Sequence, residues 1–141
     1  MLLEFDLKEK DKGCCMDILI HAADISNPVK PFNIYAEWTD RILKEYWNQG
    51  DHERDRGLAV SYLMDRYTVN TAKSQVGFIN VIVQPLYEVI KSFLPEVQIC
   101  IKALEENKAL WNDKVASYDE QLKVLNEEKN KETEKDKTEL I

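Results

Sequence analysis

Residues 74–93 read SQVGFINVIVQPLYEVIKSF, and their apolar residues recur in alternating steps of three and four. The positions in this repeat are Val76, Ile79, Val83, Leu86, Ile90 and Phe93. That spacing places the repeat on one side of an α-helix, so it predicts a helix with a buried face. We expect Ser74 or Thr71 to cap this helix, and we expect Pro85 to kink it because proline has no N–H to donate.

The same spacing predicts one helix before this stretch and one after it. The earlier helix is expected from about Asn33 to Gln49, with Gly50 ending it. Its apolar stripe consists of Tyr35, Trp38, Ile42 and Tyr46. The later helix follows Pro95, and its stripe consists of Val97, Ile101, Leu104, Trp111 and Val115, continued by Tyr118, Leu122 and Leu125.

Residues 14–24 are apolar nearly all round, which predicts a short buried helix near the N-terminus. Because proline disfavours helical geometry in the residue before it, Pro28 predicts that this helix ends near Asp24. Residues 51–57 are densely charged and are expected to form solvated surface, followed by a structured loop over 58–67. The polar run over 126–138 predicts a frayed or disordered tail.

The composition favours an all-α fold of about four to six helices with a charged C-terminal tail. Four glycines and four prolines in 141 residues are too few for a turn-rich β architecture. The length fits one domain or part of one.

Charge and cysteine content limit the expected partners and location. A net charge of −7 without a basic cluster argues against nucleic-acid binding. No apolar run approaches the roughly 20 residues that span a bilayer, so no membrane span is expected. Cys14, Cys15 and Cys100 are odd in number and suggest no disulfide framework, which favours a reducing, cytoplasmic setting.

The sequence offers few residues for catalysis or metal binding. It contains two histidines and no CxxC or HExxH spacing, so the chain alone is not expected to close a zinc site. Asp24, at the break of an apolar helix, is most simply a turn-former that bonds to nearby backbone amides. A carboxylate held at such a break also suits a hard cation.

Gln75, Phe78 and Ile82 form a second stripe on the predicted central helix, about 100° from the core stripe. The amide of Gln75 can donate and accept, which suits the edge of a purine, and the Phe78 ring can stack on a base. The alternative is a solvated glutamine and a core phenylalanine. The stripe of Trp38, Tyr46 and Trp47 is interpreted as core.

Five segments, taken in order, resemble the C-terminal half of the catalytic domain of class I cyclic nucleotide phosphodiesterases. They are 21–28 (HAADISNP), 37–42 (EWTDRI), 49–51 (QGD), 64–66 (MDR) and 74–79 (SQVGFI). The resemblance extends from about Cys14 to Trp111. It implies that residues 1–115 are part of such a domain and that 116–141 form a charged helical or disordered tail.

The resemblance implies an all-helical fold that binds zinc together with magnesium or manganese and hydrolyses the 3′,5′ phosphodiester of cAMP or cGMP. Asp24 would be the last of four protein ligands to the zinc. Gln75 would hydrogen-bond the purine, and Phe78 with Ile42 would clamp it. Asn27 and Tyr35 would line the base pocket.

The family's other metal ligands and its leaving-group histidine precede the region of resemblance and have no counterpart here. No catalytic residue is therefore assigned in this chain, and alone it is expected to bind metal weakly and to hydrolyse no cyclic nucleotide. One alternative is a non-catalytic helical module that keeps the purine pocket. Another is a helical scaffold that forms a homodimer through the stripe from Val97 to Leu125. The choice between cAMP and cGMP is left open.

Overall fold

The structure is a computed structural model that describes residues 11–139, with the side chains of 132–134 and 136–139 left undescribed. Within that range every regular element is helical, which confirms the all-α prediction. The α-helices are α1 (Lys12–Asp24), α2 (Phe32–Asp55), α3 (Thr71–Phe78), α4 (Gln84–Lys91) and α5 (Gln98–Glu139). Short 3₁₀ turns cover Asn27–Val29 and Pro95–Val97, and a π-helical stretch covers Ile79–Val83.

The core forms where α5 packs against α3, α4 and the turn before α2. Its buried residues are Ala22, Tyr35, Ala72, Ile79, Val83, Tyr87, Ile90, Ile101, Leu104 and Trp111. The two predicted stripes of residues 76–93 and 97–125 supply most of them. For these two stretches the period of three and four identified the buried face. On α2 it was wrong for Trp38 and Ile42, which are 53% and 46% exposed, so the interpretation of Trp38 as a core residue was wrong too.

The central helix differs from the prediction at its cap and near Pro85. Asn70 caps it, because its side chain accepts a hydrogen bond from the Lys73 N–H at 2.9 Å. Ser74 and Thr71 both lie inside the helix, so that prediction was wrong. Before Pro85 the chain widens into the π-helical stretch, where the N–H of Gln84 donates to the carbonyl five residues back.

Gly50 does not end α2, which continues to Asp55. A Cβ at Gly50 would overlap the backbone carbonyl of Met64, so glycine here allows the following loop to approach the helix closely. The chain turns instead at Gly57, whose φ of +68° is a conformation that glycine adopts without strain. The loop expected over 58–67 is present.

The charged run after residue 50 is not simply solvated surface. Arg54 bonds to Asp51 at 2.8 Å and to Asp65 at 2.9 Å, and Arg66 pairs with Asp51. These side chains are each about a third exposed. The run therefore joins the end of α2 to the loop before α3, which the charge pattern alone did not indicate.

Helix α1 ends at Asp24 as predicted, but much of it is exposed. Cys15 and Ala22 are buried, whereas Leu19 is 38% and Ile20 66% exposed. The side of α1 that faces α4 is covered, and the opposite side is not covered by the described residues. The prediction of a buried helix was therefore wrong for that side. None of the helices found in residues 11–139 has both the length and the apolar character required to cross a membrane.

Helix α5 continues to Glu139, through the region expected to be frayed or disordered. Its many Glu and Lys residues are good helix formers even where little is buried. Asn126 donates to the carbonyl of Tyr67 at 2.8 Å, and Lys129 lies 3.8 Å from the centroid of the Tyr67 ring. The division at residue 115 remains a prediction.

Candidate functional site

A hydrogen bond joins the two helices that carry the predicted purine-binding residues. The Tyr35 hydroxyl on α2 donates to Oε1 of Gln75 on α3 at 2.9 Å, and the Thr39 hydroxyl lies 3.5 Å from the same oxygen. Tyr35 and Thr39 are each 1% exposed, whereas Gln75 is half-buried. The buried side chains of α2 thus hold the carbonyl end of the Gln75 amide in place.

The Tyr35 phenol is protonated at neutral pH. Burial raises its pKa well above the usual value, so the hydroxyl can donate to the Gln75 carbonyl oxygen. The nitrogen of the Gln75 amide lies 3.4 Å from the Ser74 hydroxyl. Because an amide nitrogen carries two hydrogens, it can still donate to a ligand.

Asn27 lies beside Tyr35 and has an unsatisfied acceptor. Its Nδ2 donates to the Tyr35 carbonyl at 3.3 Å. Its Oδ1 is buried and has no hydrogen-bond partner in the described part of the chain. A buried polar atom without a partner lowers stability by about 1–3 kcal/mol.

The two residues of the predicted clamp lie on different helices, Phe78 on α3 and Ile42 on α2. Phe78 is half-buried and packs against the core, while Ile42 on α2 is 46% exposed. Both belong to helices joined through Tyr35 and Gln75. The role of Phe78 and Ile42 on opposite faces of a base remains a prediction.

Asp24 lies in a separate open groove of about 580 Å³ at the end of α1. The groove is lined by Asp17, Ile20, His21, Ala23 and Asp24. Neither Gln75 nor Phe78 lines it. The structure therefore brings Asn27, Tyr35 and Gln75 together. It places Asp24 in the groove at the end of α1, which those three residues do not line.

The groove alone does not suit a resident metal ion. Among residues 11–131, no three His, Cys, Asp or Glu side chains are grouped so that they could hold one. The Asp24 carboxylate is a donor that hard cations prefer, but such ions take six or more oxygen ligands. No reaction step is assigned to a metal bound by this chain alone.

Three residues near these features, Asp17, His21 and Thr39, were missed in the sequence. Asp17, His21 and Asp24 are separated by four and three positions, which places them on one face of α1. Thr39 lies one helical turn after Tyr35 and faces the same amide. The helical period would have identified all three if it had been applied to polar as well as apolar positions.

One protein family matches most of this chain. The family described as 3′5′-cyclic nucleotide phosphodiesterase matches residues 2–104. The chain belongs to this family.

Two curated relatives show how much of a longer protein this chain matches. The chain is 40% identical over 122 residues to "Probable 3′,5′-cyclic-AMP phosphodiesterase pde-4" of Caenorhabditis elegans, a match that covers 86% of this chain and 18% of that protein. It is 41% identical over 106 residues to "3′,5′-cyclic-AMP phosphodiesterase 4C" of Mus musculus, which covers 74% and 16%. The chain thus spans less than a fifth of the length of these curated relatives.

Solved structures show the same partial overlap. The phosphodiesterase domain of the Salpingoeca rosetta rhodopsin phosphodiesterase matches with a TM-score of 0.71 and 28% identity, covering 86% of this chain and 38% of that one. The structure of LmjPDEB1 in complex with IBMX matches with a TM-score of 0.65 and 31% identity, covering 72% and 31%. The fold seen here therefore corresponds to about a third of each of those solved chains.

Proposed function

We propose that this chain supplies the purine-recognition part of a catalytic domain that hydrolyses 3′,5′-cyclic nucleotides, with cAMP as the substrate. The observation that carries the proposal is the 2.9 Å hydrogen bond from the buried Tyr35 hydroxyl to the Gln75 carbonyl oxygen. The names of the relatives, which are cyclic-AMP phosphodiesterases, support it.

An anchored glutamine amide favours adenine over guanine. The edge of adenine that contains N7 presents one acceptor beside the donor N6 amine, a pair that a glutamine amide matches with its own donor and acceptor. Guanine presents two acceptors at that edge, N7 and O6. The Gln75 carbonyl oxygen accepts from Tyr35 with one of its two lone pairs, so the other can accept from the adenine N6 amine while the amide nitrogen donates to N7. We therefore propose cAMP rather than cGMP as the substrate.

Asn27 is proposed to line the base pocket beside Tyr35. Its Nδ2 donates to the Tyr35 carbonyl at 3.3 Å, which holds the side chain next to the residue that contacts Gln75. Phe78 and Ile42 are then the apolar contacts for the two faces of the base.

Asp24 is proposed as the single metal ligand that this chain contributes. Zinc with magnesium or manganese is the set that the family resemblance implies, and the remaining ligands would come from the rest of a longer enzyme. The exposed apolar side of α1, including Leu19 and Ile20, lies next to the groove that contains Asp24. Such a face is suited to being covered by further helices of the same domain.

A cytoplasmic location and self-association along α5 are further proposals. Cys14, Cys15 and Cys100 are all free thiols, which suits a reducing compartment. The stripe predicted to form the dimer, from Val97 to Leu125, supplies Ile101, Leu104 and Trp111 to the core instead. A dimer through α5 would therefore use other apolar residues of that helix, such as Leu110 and Val124, which are 42% and 48% exposed.

The proposal is tested by assaying the longest native polypeptide that contains these residues, with cAMP and added zinc and magnesium. Gln75→Ala is expected to raise KM about tenfold and to change kcat little, because the base-binding bonds exist in both the ground state and the transition state. Gln121→Ala, on the exposed side of α5, is the control and should leave both constants unchanged. An unchanged KM in Gln75→Ala would remove Gln75 from the site, and no hydrolysis by the unaltered polypeptide would favour the non-catalytic module.

A further inference from the structure

One polar side chain interrupts the apolar face of α5. Asn107 lies between Leu104 and Trp111, which are both in the core, and it is only 4% exposed. A buried amide lowers stability unless its polar atoms find partners. An apolar residue would be expected at this position if the face of α5 only covered the core. The hydrogen bonds that Asn107 makes explain why an amide is present instead.

The Asn107 amide holds the turn between α1 and α2. Its Nδ2 donates to the carbonyl of Pro28 at 2.7 Å and to the carbonyl of Lys30 at 2.8 Å. Both amide hydrogens are thus used on one turn. The same turn contains Asn27, which bonds to Tyr35. Helix α5 therefore fixes the side of the purine site that Asn27 and Tyr35 form.

The opposite side of the site is bonded to the same helix. Asn70, which caps α3, donates to the Val115 carbonyl at 3.0 Å and to the Asp119 carboxylate at 2.7 Å. Lys73 also donates to Asp119, at 2.9 Å. The hydrogen bonds from Lys73 and Asn70 hold the pKa of Asp119 below its usual range, so this carboxylate is charged at neutral pH. Because α3 carries Gln75, its position relative to α5 is fixed as well.

We propose that Asn107 is a positioning residue of the purine site: by holding the turn before α2 against α5, it sets the distance between Asn27 and the Gln75 amide. The inference rests on the proposed function. Hydrogen bonds weaken steeply as their distance and angle depart from the optimum, so recognition by two fixed amides tolerates little displacement. If the turn were released, the core would remain but the two sides of the site would lose their alignment.

The test compares Asn107→Leu with Asn112→Leu in the full chain. Leucine has the same number of side-chain heavy atoms as asparagine and the same branching at Cγ, but it is larger and cannot donate; Asn112 is an exposed residue of the same helix. The dissociation constant for cAMP is measured by NMR titration at a temperature at which circular dichroism shows each variant to be folded. Asn107→Leu is expected to weaken binding about tenfold, and Asn112→Leu less than about twofold.

A double variant separates positioning from a general loosening of the fold. If Asn107 acts through the turn, adding Asn107→Leu to Asn27→Ala should weaken binding by no more than about twofold beyond Asn27→Ala alone. A loss of stability unrelated to Asn27 would instead multiply the two effects. Asn107→Ser keeps one donor, and it replaces Asn107→Leu if the leucine variant does not fold; its expected loss is about threefold.

The outcomes separate this inference from the proposed function. If the unaltered chain binds cAMP and the Asn107 and Asn112 variants bind it equally well, the positioning role is overturned while the purine site stands. Multiplied effects in the double variant also overturn it. If the unaltered chain shows no saturable binding of cAMP, the proposed function fails and this inference fails with it.

Discussion

Trp111→Ala is expected to lower the free energy of unfolding by about 3–5 kcal/mol, the usual range for truncating a buried aromatic side chain. Trp111 on α5 is 2% exposed, and its ring lies 5.1 Å from that of Phe32, 5.6 Å from that of Tyr35 and 6.3 Å from that of Tyr118. Its removal leaves a cavity between α5 and the start of α2. Urea denaturation followed by circular dichroism measures the change.

Trp38→Ala is the matched control, because Trp38 is also a tryptophan on a long helix but is 53% exposed. Its expected loss is below about 1 kcal/mol, since little apolar surface leaves the interior. Similar losses in the two variants would contradict the position of the core between α2 and α5.

Asp24→Ala is expected to reduce kcat/KM for cAMP by at least about 100-fold in the longest native polypeptide that contains these residues. A divalent metal contributes several kcal/mol to the stabilisation of charge in phosphate hydrolysis, and each 1.4 kcal/mol or so is a factor of ten in rate. Loss of one carboxylate ligand should forfeit much of that contribution. The initial rates are measured with zinc and magnesium added in excess.

Asp17→Ala provides the comparison for this experiment. Asp17 lines the same groove and is exposed on the same helix, but it is not the residue that the family resemblance identifies as a ligand. Its rate should stay within about threefold of the unaltered enzyme, as expected for an exposed side chain without a catalytic role. Normal turnover by the Asp24 variant would end the assignment of a metal ligand.

The two helices with the clearest apolar period were predictable from the sequence alone. The repeat that includes Ile79, Val83 and Ile90 and the repeat that includes Ile101 and Leu104 both became core. Such repeats are informative because a helix buries one face, and only apolar residues can occupy it at no cost in lost hydration.

Features that depend on contacts between distant segments were not predictable. The end of α2 was misplaced because Gly50 is buried against the Met64 carbonyl, and the loop that supplies this carbonyl has no sequence period. The cap of the central helix was misplaced because Asn70 also bonds to α5, 45 positions along the chain. In both cases the sequence correctly indicated that a helix ends or begins nearby. A contact with a distant segment determined the residue at which it does so.

The sequence predicted which residues make up the candidate site, but it did not predict how their side chains are oriented. The resemblance placed Asn27, Tyr35 and Gln75 in one base pocket, and the structure joins these three by hydrogen bonds. The resemblance did not indicate which end of the Gln75 amide faces the protein, and the proposed choice of adenine over guanine depends on that. In the structure the carbonyl end faces the Tyr35 hydroxyl, a contact between residues 40 positions apart that only the folded core provides.

An NMR titration of the 141-residue chain with cAMP, followed at the side-chain amide groups of Gln75 and Asn27, tests the central claim most directly. Without a metal centre the affinity should be low, with Kd on the order of 1 mM, which corresponds to about −4 kcal/mol. Both side-chain signals should shift together and saturate, cGMP should bind more weakly, and Gln75→Ala should remove the saturation. If both signals stay unchanged while the chain is folded, or if cAMP shifts only residues remote from Tyr35, the purine site does not exist as described.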